Sequence, residues 1–223
     1  YLPEFKGAGR ERVTIRDLLT HMSGLPPDLD LKTTWTGRET AIQMAAATPL
    51  QGPPGQRFVY SDVNFLLLAE IVARVSGEAF ETYVARHILE PLGMRDTMFL
   101  PPASLRPRIA PTDAPTRRGI VHDPTARRMG GVAGQAGLFG TADDLARFCR
   151  MMLHGGALGT VRVLSPLAVS RMTSPATPVD EPSVRGLGWD LDSGYSANRG
   201  DLFPLGSYGP TGFTGGSIWI DPT

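Results

Sequence analysis

The sequence predicts an α/β (α+β) protein in which the helices come first and the strands come last. Before Met172, apolar residues recur at helical spacing behind capping residues, most clearly from Phe58 to Gly77. Beyond Met172 the pattern changes to short runs that favour extended backbone, Gly186–Leu191 and Ser217–Ile220. We therefore predict helices in the first three quarters of the chain and strands in the remainder.

Composition limits the size of the core and the classes of partner. With 223 residues, 41% of them apolar, the chain is long enough for one sizeable core, so we predict one domain over 1–223, with a helical lobe over 1–172 and part of a sheet over 173–223. The net charge is zero, so composition predicts neither nucleic-acid binding nor attraction to an acidic membrane. No apolar run is long enough for a transmembrane segment. The single cysteine, Cys149, excludes an internal disulfide and is expected to be a packed thiol.

Each predicted helix has a start signal. Thr14 and Asp17 have capping-box spacing before the first helix, and Thr36 with Glu39 has the same spacing before a second. The remaining helices are predicted behind Ser61 and Asp62, over Glu78–Glu90, behind Thr141 and Asp144, and behind Ser165–Pro166.

Tyr60 is the first candidate functional residue. It precedes Ser61 and Asp62, so its phenol is expected just outside the start of a buried helix. The N–H groups and dipole at a helix start favour negative charge, which would help a phenol to act as a base. The alternative is a core tyrosine with one hydrogen bond. His21, at the end of the first predicted helix, also suggests a catalytic base, but a structural histidine bonded to the backbone is favoured.

Five separate segments occur in an order that resembles the serine β-lactamase-like family, which includes class C β-lactamases, D-alanyl-D-alanine peptidases and related esterases. The resemblance covers nearly the whole chain and implies the β-lactamase/transpeptidase-like fold, with a helical lobe and part of an antiparallel sheet. The segments are VTIRDLLTHMSGLP (13–26), PGQRFVYSD (54–62), ILEPLGMRDTMF (88–99), GLFGTADDLARF (137–148) and TGFTGGSIWIDP (211–222).

The resemblance also implies roles for individual residues. Tyr60 matches the tyrosine of the family's Y-x-N motif, which assists proton transfer at a serine in S-x-x-K, but Asp62 replaces the asparagine. Pro210-Thr211-Gly212 aligns with the family's K-T-G or H-T-G triplet, so Thr211, Gly212 and the N–H of Phe213 are expected to border the substrate, while Pro210 supplies no cation.

Two further residues are candidates for the substrate cleft. His122 lies in a V-H-D-P element seen in one branch of the family; it either lines the cleft or is a loop histidine paired with Asp123. Gln135 lies in a segment with five glycines in a dozen residues, where relatives of this branch often carry histidine. The same segment lacks the spacing of a phosphate-binding loop.

One required group is absent from the sequence. Neither Lys6 nor Lys32 follows a serine at the third position, so there is no S-x-x-K, and Tyr60 alone cannot carry acyl transfer. Two explanations compete. The first, which we favour, is a fragment of a longer enzyme, because Tyr1–Phe5 resembles the segment that follows the family's nucleophile helix. The second is a pseudoenzyme that keeps its cleft for binding.

The resemblance implies a serine hydrolase that acts through an acyl-serine intermediate, without a metal or other cofactor, on a small ester, amide or β-lactam. Because Asp62 and Pro210 remove amide and carboxylate recognition, we predict a preference for esters. We expect an exported bacterial protein; the oligomeric state is left open. The alternative from another class is a non-catalytic binding protein or cell-envelope interaction protein.

Overall fold

The computed structural model describes all residues, 1–223, as seven α-helices and six short strands joined by turns. The helix α4 passes directly into a π-helical turn, Ala85–Leu89. No helix combines the length and the apolar content that crossing a bilayer requires. The helices are α1 (Ile15–Leu19), α2 (Arg38–Ala47), α3 (Asp62–Ser76), α4 (Phe80–Val84), α5 (Pro124–Arg128), α6 (Ala142–Leu153) and α7 (Pro166–Met172).

The strands form three separate antiparallel pairs. Single antiparallel bridges then join Asp190 to Gly209, Tyr208 to Ile220, and Thr211 to Ser217, which adds the last part of the chain to the third pair. The pairs are β1 (Met98–Phe99) with β2 (Leu138–Phe139), β3 (Ala157–Leu158) with β4 (Val161–Arg162), and β5 (Val184–Arg185) with β6 (Asp190–Asp192).

Three of the predicted helix starts are confirmed. The Thr14 hydroxyl accepts the Asp17 N–H at 3.2 Å and the Asp17 carboxylate accepts the Thr14 N–H at 2.8 Å, which completes a capping box. The Thr141 and Ser165 hydroxyls cap α6 and α7 in the same manner. These starts depend on residues three positions apart, so the local sequence is enough to predict them.

Two other predicted caps are wrong in detail. Ser61 is the N-cap residue of α3, but its hydroxyl donates to the carbonyl of Pro26 at 2.6 Å instead of capping the helix. Helix α2 has Gly37 at its N-cap, with φ of 93°, and the Thr36 hydroxyl donates to the Arg128 carbonyl. In both places a distant carbonyl takes the hydroxyl that the local pattern assigned to the helix.

The predicted strand over Gly186–Leu191 is also corrected. Only Asp190 and Leu191 belong to β6, and the residues before them form the turn that connects β5 to β6. In that turn Gly186 N–H donates to the Trp189 carbonyl and Gly188 has φ of 83°, a left-handed conformation that glycine adopts without strain. The segment Ser217–Ile220 contributes only single bridges, through Ser217 and Ile220.

Two cores of similar size hold the elements together. The first lies between α1, α2 and α3, where Leu66 and Leu67 of α3 are almost completely buried. The second combines the π-helical turn, α6 and α7 with β6 and the bridged residues Tyr208 and Ile220. Cys149 packs against this second core, and burial raises the pKa of its thiol. Residues on both sides of position 172 therefore share one core, while the division into lobes at that position stays a prediction.

Candidate functional site

Tyr60 lies at the end of an extended segment, two residues before α3 begins. Hydrogen bonds fix the backbone on both sides of it: Val59 N–H donates to the His21 carbonyl at 2.9 Å, and Asp62 N–H donates to the Pro27 carbonyl at 2.8 Å. The predicted position of Tyr60, just outside the start of a buried helix, is therefore confirmed. Its side chain is 38% exposed, so the phenol remains accessible.

Two other rings contact the phenol ring of Tyr60. The imidazole of His21 stacks against it with centroids 4.4 Å apart and an interplanar angle of 26°. The ring of Tyr195 is 4.9 Å away on a tilted plane. Stacked and tilted rings at these distances attract one another and restrict rotation. Tyr60 is thus held in one orientation while part of its surface stays open to solvent.

The charge environment of Tyr60 differs from the sequence expectation. Burial raises the pKa of its phenol, and the nearby carboxylate of Asp62 raises it further, whereas the charge of Arg185 acts in the opposite direction. The helix start alone therefore does not produce a phenolate here. Tyr60 needs an additional cation beside it to act as a base near neutral pH.

Asp62 belongs to a group of three carboxyl groups with Asp28 and Asp123. Burial, followed by the charges of Asp123 and Asp28, raises the pKa of Asp62 to about 7. The other two are hydrogen-bonded: Asp28 accepts from the Thr125 hydroxyl at 2.8 Å, and Asp123 accepts from Ala126 N–H at 2.6 Å as the N-cap of α5. The Asp62 carboxyl has no hydrogen bond within the chain, so it is the member best placed to receive a cation.

His21 is structural in the sense that the sequence favoured. It is 2% exposed, and its Nδ1 accepts hydrogen bonds from Ser61 N–H at 3.1 Å and from the Asn64 amide at 3.2 Å. Burial, helped by the charge of Arg185, lowers the pKa of His21 to about 3. The imidazole is therefore neutral in the working pH range and its acceptor nitrogen is already occupied.

A buried ion pair lies behind the rings. Arg185 of β5 and Asp190 of β6 are 3.2 Å apart, and the Asp190 carboxylate also accepts from the hydroxyls of Ser193 and Ser196. The guanidinium of Arg185 lies over the Phe58 ring at 5.9 Å. This places a positive charge close to the Tyr60 cluster, from a residue that sequence reasoning had not singled out.

A second group of predicted residues lies around the hairpin turn near the end of the chain. Thr211 bridges to Ser217, and Gly212 N–H donates to the Gly216 carbonyl at 2.7 Å. Phe213 at the turn is 83% exposed, and its N–H has no hydrogen-bond partner. Its ring stacks on His122 with centroids 5.1 Å apart and only 6° between the planes.

The environment of His122 and Gln135 bears on the alternatives left open by the sequence. His122 forms no hydrogen bond with Asp123; it stacks on Phe213 instead. Asp123 is reached by Gln135, whose Nε2 donates to Oδ1 at 3.4 Å, while the Gln135 Oε1 is buried without a partner. The pairing of His122 with Asp123 is therefore absent. The alternative, that His122 lines a substrate cleft, stays a prediction.

An open groove of about 880 Å³ lies beside this second group. Its polar lining residues are Asp96, Arg108, Thr112, His122, Gln135, Thr141 and Thr214. A volume of this size suits a small organic molecule, and apolar walls with a few polar groups are typical of ligand sites. The apolar walls include Phe80, Val84, Phe99, Leu105, Ile109 and Phe139.

The structure brings the predicted residues together in two groups rather than one. No hydrogen bond or ring contact joins Tyr60 to the turn at 211–213. The connection is indirect: Asp62 interacts electrostatically with Asp123, which is bonded to Gln135 at the groove. No set of three or more His, Cys, Asp or Glu side chains is arranged to hold a metal ion.

Sequence reasoning missed Arg185, Tyr195 and Asp28 as neighbours of the site. Each reaches it through a contact with a residue more than thirty positions away, so no local motif marks it. The one sequence signal for Arg185 as a site neighbour is that it is one of few charged residues in a stretch that favours strands.

The fold is shared with β-lactamases, penicillin-binding proteins and carboxylesterases of known structure. A penicillin-binding protein homologue from Caulobacter crescentus superposes with a TM-score of 0.76 at 24% identity, over 99% of this chain and 65% of that one. A family VIII carboxylesterase gives 0.75 at 20% identity, over 100% and 65%. Identities this low show the fold alone. The superpositions confirm the predicted β-lactamase/transpeptidase-like fold, and this chain covers part of it.

Sequence comparison gives the family. The model of the Beta-lactamase family matches residues 1–223, so the chain belongs to the β-lactamase family. A relative in Salmonella agona (strain SL483), which carries the provisional name D-alanyl-D-alanine carboxypeptidase, is 32% identical over 256 residues. The match covers all of this chain and 59% of that relative, so the chain spans about three fifths of its length.

Proposed function

We propose that this chain is part of a serine hydrolase that works through an acyl-serine intermediate and favours small esters. The nucleophilic serine and its lysine would be supplied by an S-x-x-K segment outside residues 1–223. The observation that carries the proposal is the fixed, accessible phenol of Tyr60 at the start of α3, with the Asp62 carboxyl two residues away. Family membership and relatives named as peptidase and esterase support it.

In this proposal Tyr60 moves the proton of the serine. The lysine of S-x-x-K would be the cation that the phenol lacks within this chain, and its ammonium would lower the pKa of Tyr60. The same ammonium would pair with Asp62, whose pKa is raised to about 7 by burial first and then by the charges of Asp123 and Asp28. Adding one positive charge at this point would favour both ionised forms together.

The hairpin turn would border the acyl group. Thr211 and Gly212 lie on the edge of the antiparallel arrangement, and the unpaired N–H of Phe213 is free to donate to a developing oxyanion. His122 and Gln135, at the adjacent groove, would contact the substrate side chain. We also propose an exported location, on the basis of family resemblance.

The preference for esters depends on two replacements. Pro210 is exposed and uncharged where the family places a lysine or histidine, so it cannot attract a substrate carboxylate. The nearby cation, Arg185, is 6% exposed and already paired with Asp190, so it does not replace that charge. Asp96 and Arg108 also line the groove, but they pair with each other at 3.2 Å. The apolar walls therefore favour a substrate with an uncharged acyl or alcohol part.

The test of the proposal is the intact mass of the upstream-extended protein after treatment with a fluorophosphonate, with the 223-residue chain as control. One adduct on the extended protein and none on the control is the expected result. No adduct on either protein would contradict the proposal. Ester preference is tested separately: the extended protein should hydrolyse short-chain 4-nitrophenyl esters faster than a chromogenic cephalosporin, and the reverse order would overturn the preference.

A non-catalytic binding protein is the second candidate, because residues 1–223 contain no serine followed by lysine at the third position. Such a protein would use the groove beside His122 to hold a ligand without turnover. The reading frame upstream of Tyr1 separates the two. An S-x-x-K in a helical pattern supports the enzyme. A start codon immediately before Tyr1, or a corrupted motif, supports the binding protein.

A further inference from the structure

We propose that His21 is a positioning residue for Tyr60: its backbone, its ring face and its Nδ1 fix three consecutive residues, Val59, Tyr60 and Ser61. This inference rests on the proposed function, because it concerns the same tyrosine. It gives a task to a histidine that neither the proposed mechanism nor the family motif around Tyr60 uses.

The three contacts act on three neighbouring residues. The His21 carbonyl accepts Val59 N–H at 2.9 Å, the ring stacks on Tyr60 at 4.4 Å, and Nδ1 accepts Ser61 N–H at 3.1 Å. A residue whose backbone is held on both sides and whose ring is stacked has little freedom left. The position of the phenol therefore depends directly on His21.

A second layer of contacts holds the imidazole itself. The Asn64 amide donates to Nδ1 at 3.2 Å, and the Ser23 hydroxyl donates to the Asn64 Oδ1 at 2.5 Å. The Phe58 and Phe65 rings pack against the imidazole at 5.9 and 5.1 Å. Because Nδ1 accepts two N–H groups, the ring proton is on Nε2, and the ring orientation is determined.

The backbone of His21 is strained, which indicates that the surrounding contacts impose its conformation. Its φ is 58°, a left-handed conformation that few residues other than glycine adopt. Strain of this kind persists only where neighbouring structure holds it, and it is common at functional sites. Here the strained turn after α1 directs the carbonyl to Val59 and the ring to Tyr60.

The hydrogen bonds accepted by His21 Nδ1 do not change with pH near neutrality. Protonation of Nδ1 would remove both accepted hydrogen bonds, but the buried ring, 2% exposed, stays neutral. The charged groups that face this cluster are Arg185, its partner Asp190, and Asp62. A positioning histidine of this kind contributes no limb to a pH–rate profile, whereas a general base with an ordinary pKa would contribute one near pH 6.5.

The test compares His21→Phe, which keeps a ring and loses the acceptor, with His21→Asn, which keeps an acceptor near Nδ1 and tolerates a positive φ. His154→Asn, at an exposed position after α6, is the matched control. In the extended protein we expect His21→Phe to lower kcat about 10- to 100-fold with KM changed less than about threefold. His21→Asn should recover at least half of the loss in log kcat. The pH–rate profiles of both variants should keep every limb of the wild-type profile.

A second measurement does not depend on activity. Hydrogen exchange of the Ser61 amide should be at least about tenfold faster in His21→Phe than in the wild type, and close to the wild type in His21→Asn and His154→Asn. If Tyr60→Phe inactivates the enzyme while His21→Phe keeps full kcat, the inference fails and the proposed function stands. Wild-type activity in Tyr60→Phe would exclude Tyr60 from the proposed mechanism and overturn the inference with it, whereas absence of a fluorophosphonate adduct would contradict the proposed function. Unchanged Ser61 exchange in His21→Phe would overturn the inference in either case.

Discussion

Tyr60 and Asp62 are two residues apart, and the pKa of each is raised above its ordinary value. Burial is the main cause for both, and the Asp62 carboxylate is the second cause for Tyr60. Two acids that both resist ionisation form a poor base but a good receptor for one shared cation, since a single ammonium favours both anions. The chemistry of this pair therefore depends on a charge that the two residues do not supply.

Replacement of Tyr60 by Phe removes the proton carrier and keeps the ring that stacks on His21. In the extended protein we expect acylation to slow by at least about 100-fold, the usual effect of losing a general base. Stopped-flow measurement of the acylation burst reports this step. Tyr195→Phe, which removes the neighbouring hydroxyl, should change the rate by less than about threefold; an unchanged rate in Tyr60→Phe would exclude Tyr60 from the mechanism.

The carboxyl of Asp62 gives stability a pH dependence whose sign follows from its shift. Its pKa is raised from 3.8 to about 7, so between these values the folded chain keeps a proton that the unfolded chain has lost. The contribution of Asp62 to the free energy of unfolding is therefore complete below pH 4 and is lost as the pH rises to 7. Partial exposure and solvent screening reduce the full shift to about 1–2 kcal/mol.

Asp62→Asn should remove this dependence. Relative to wild type, the 223-residue variant should gain about 1–2 kcal/mol in free energy of unfolding between pH 5 and pH 8, measured by urea denaturation at both values. Asp180→Asn, at an exposed position, is the control and should show no such gain. The gain should shrink in the extended protein if a lysine pairs with Asp62. An equal wild-type and variant pH dependence would contradict the assigned cause.

At the scale of elements, α6 is fixed by two adjacent acids with different roles. Asp144 is 7% exposed, and its Oδ2 accepts Asp96 N–H and the Thr97 hydroxyl, each at 2.8 Å, which attaches the first turn of α6 to the segment entering β1. Asp143, one residue earlier, is exposed and only complements the helix dipole. The pair offers a matched comparison within one helical turn.

Asp144→Ala should lower the free energy of unfolding by about 2–4 kcal/mol, because it leaves two donors without an acceptor in a buried place. Asp143→Ala should cost less than about 1 kcal/mol, the usual value of one exposed charge near a helix N-terminus. Chemical denaturation of both variants under one set of conditions gives the comparison. Equal losses would show that the bonds to Asp96 and Thr97 contribute nothing.

The elements also show which parts of the fold the sequence can predict. The caps at Thr14, Thr141 and Ser165 are correct because donor and acceptor are three residues apart and need no other part of the chain. Ser61 departs from its predicted role because Pro26, 35 positions away, accepts its hydroxyl. The strand over Gly186–Leu191 is wrong because Gly188, with φ of 83°, turns the chain there, which alternation of apolar residues does not reveal.

At the scale of the whole molecule, the second core crosses the predicted boundary at residue 172. Trp189 is 7% exposed, and its ring packs against Phe148 of α6 and Tyr208 of the final segment, at 6.3 and 5.0 Å. The helices α6 and α7 thus bury their apolar faces against residues that come later in the chain. A piece that ends at 172 would leave this face in water.

We therefore expect residues 1–172, prepared alone, to lose cooperative unfolding and to bind the dye ANS more strongly than the 223-residue chain. Near-ultraviolet circular dichroism and dye fluorescence measure the two effects. Trp189→Ala in the full chain should cost about 3–5 kcal/mol by the same physics. A native-like, cooperatively unfolding 1–172 piece would show that the helical lobe is independent after all.

The same scale explains why the site was only partly predictable. Tyr60 was found because a turn, an extended entry and a cap mark its place along the chain. Its neighbours Arg185 and Tyr195 lie more than a hundred residues later and enter through tertiary packing. The resemblance to a known family supplied His122, Gln135 and 211–213, whereas the charge state of Tyr60 and Asp62 required the packed structure.

The packed thiol of Cys149 has a practical consequence for studying this protein. It is the chain's only cysteine, it is half-buried against the second core, and its raised pKa leaves less thiolate at neutral pH. A cysteine introduced at an exposed position such as Val179 would therefore react much sooner with a maleimide. One fluorophore per molecule can be attached without first removing the native thiol, so single-molecule distance measurements need only one added cysteine for each labelled site.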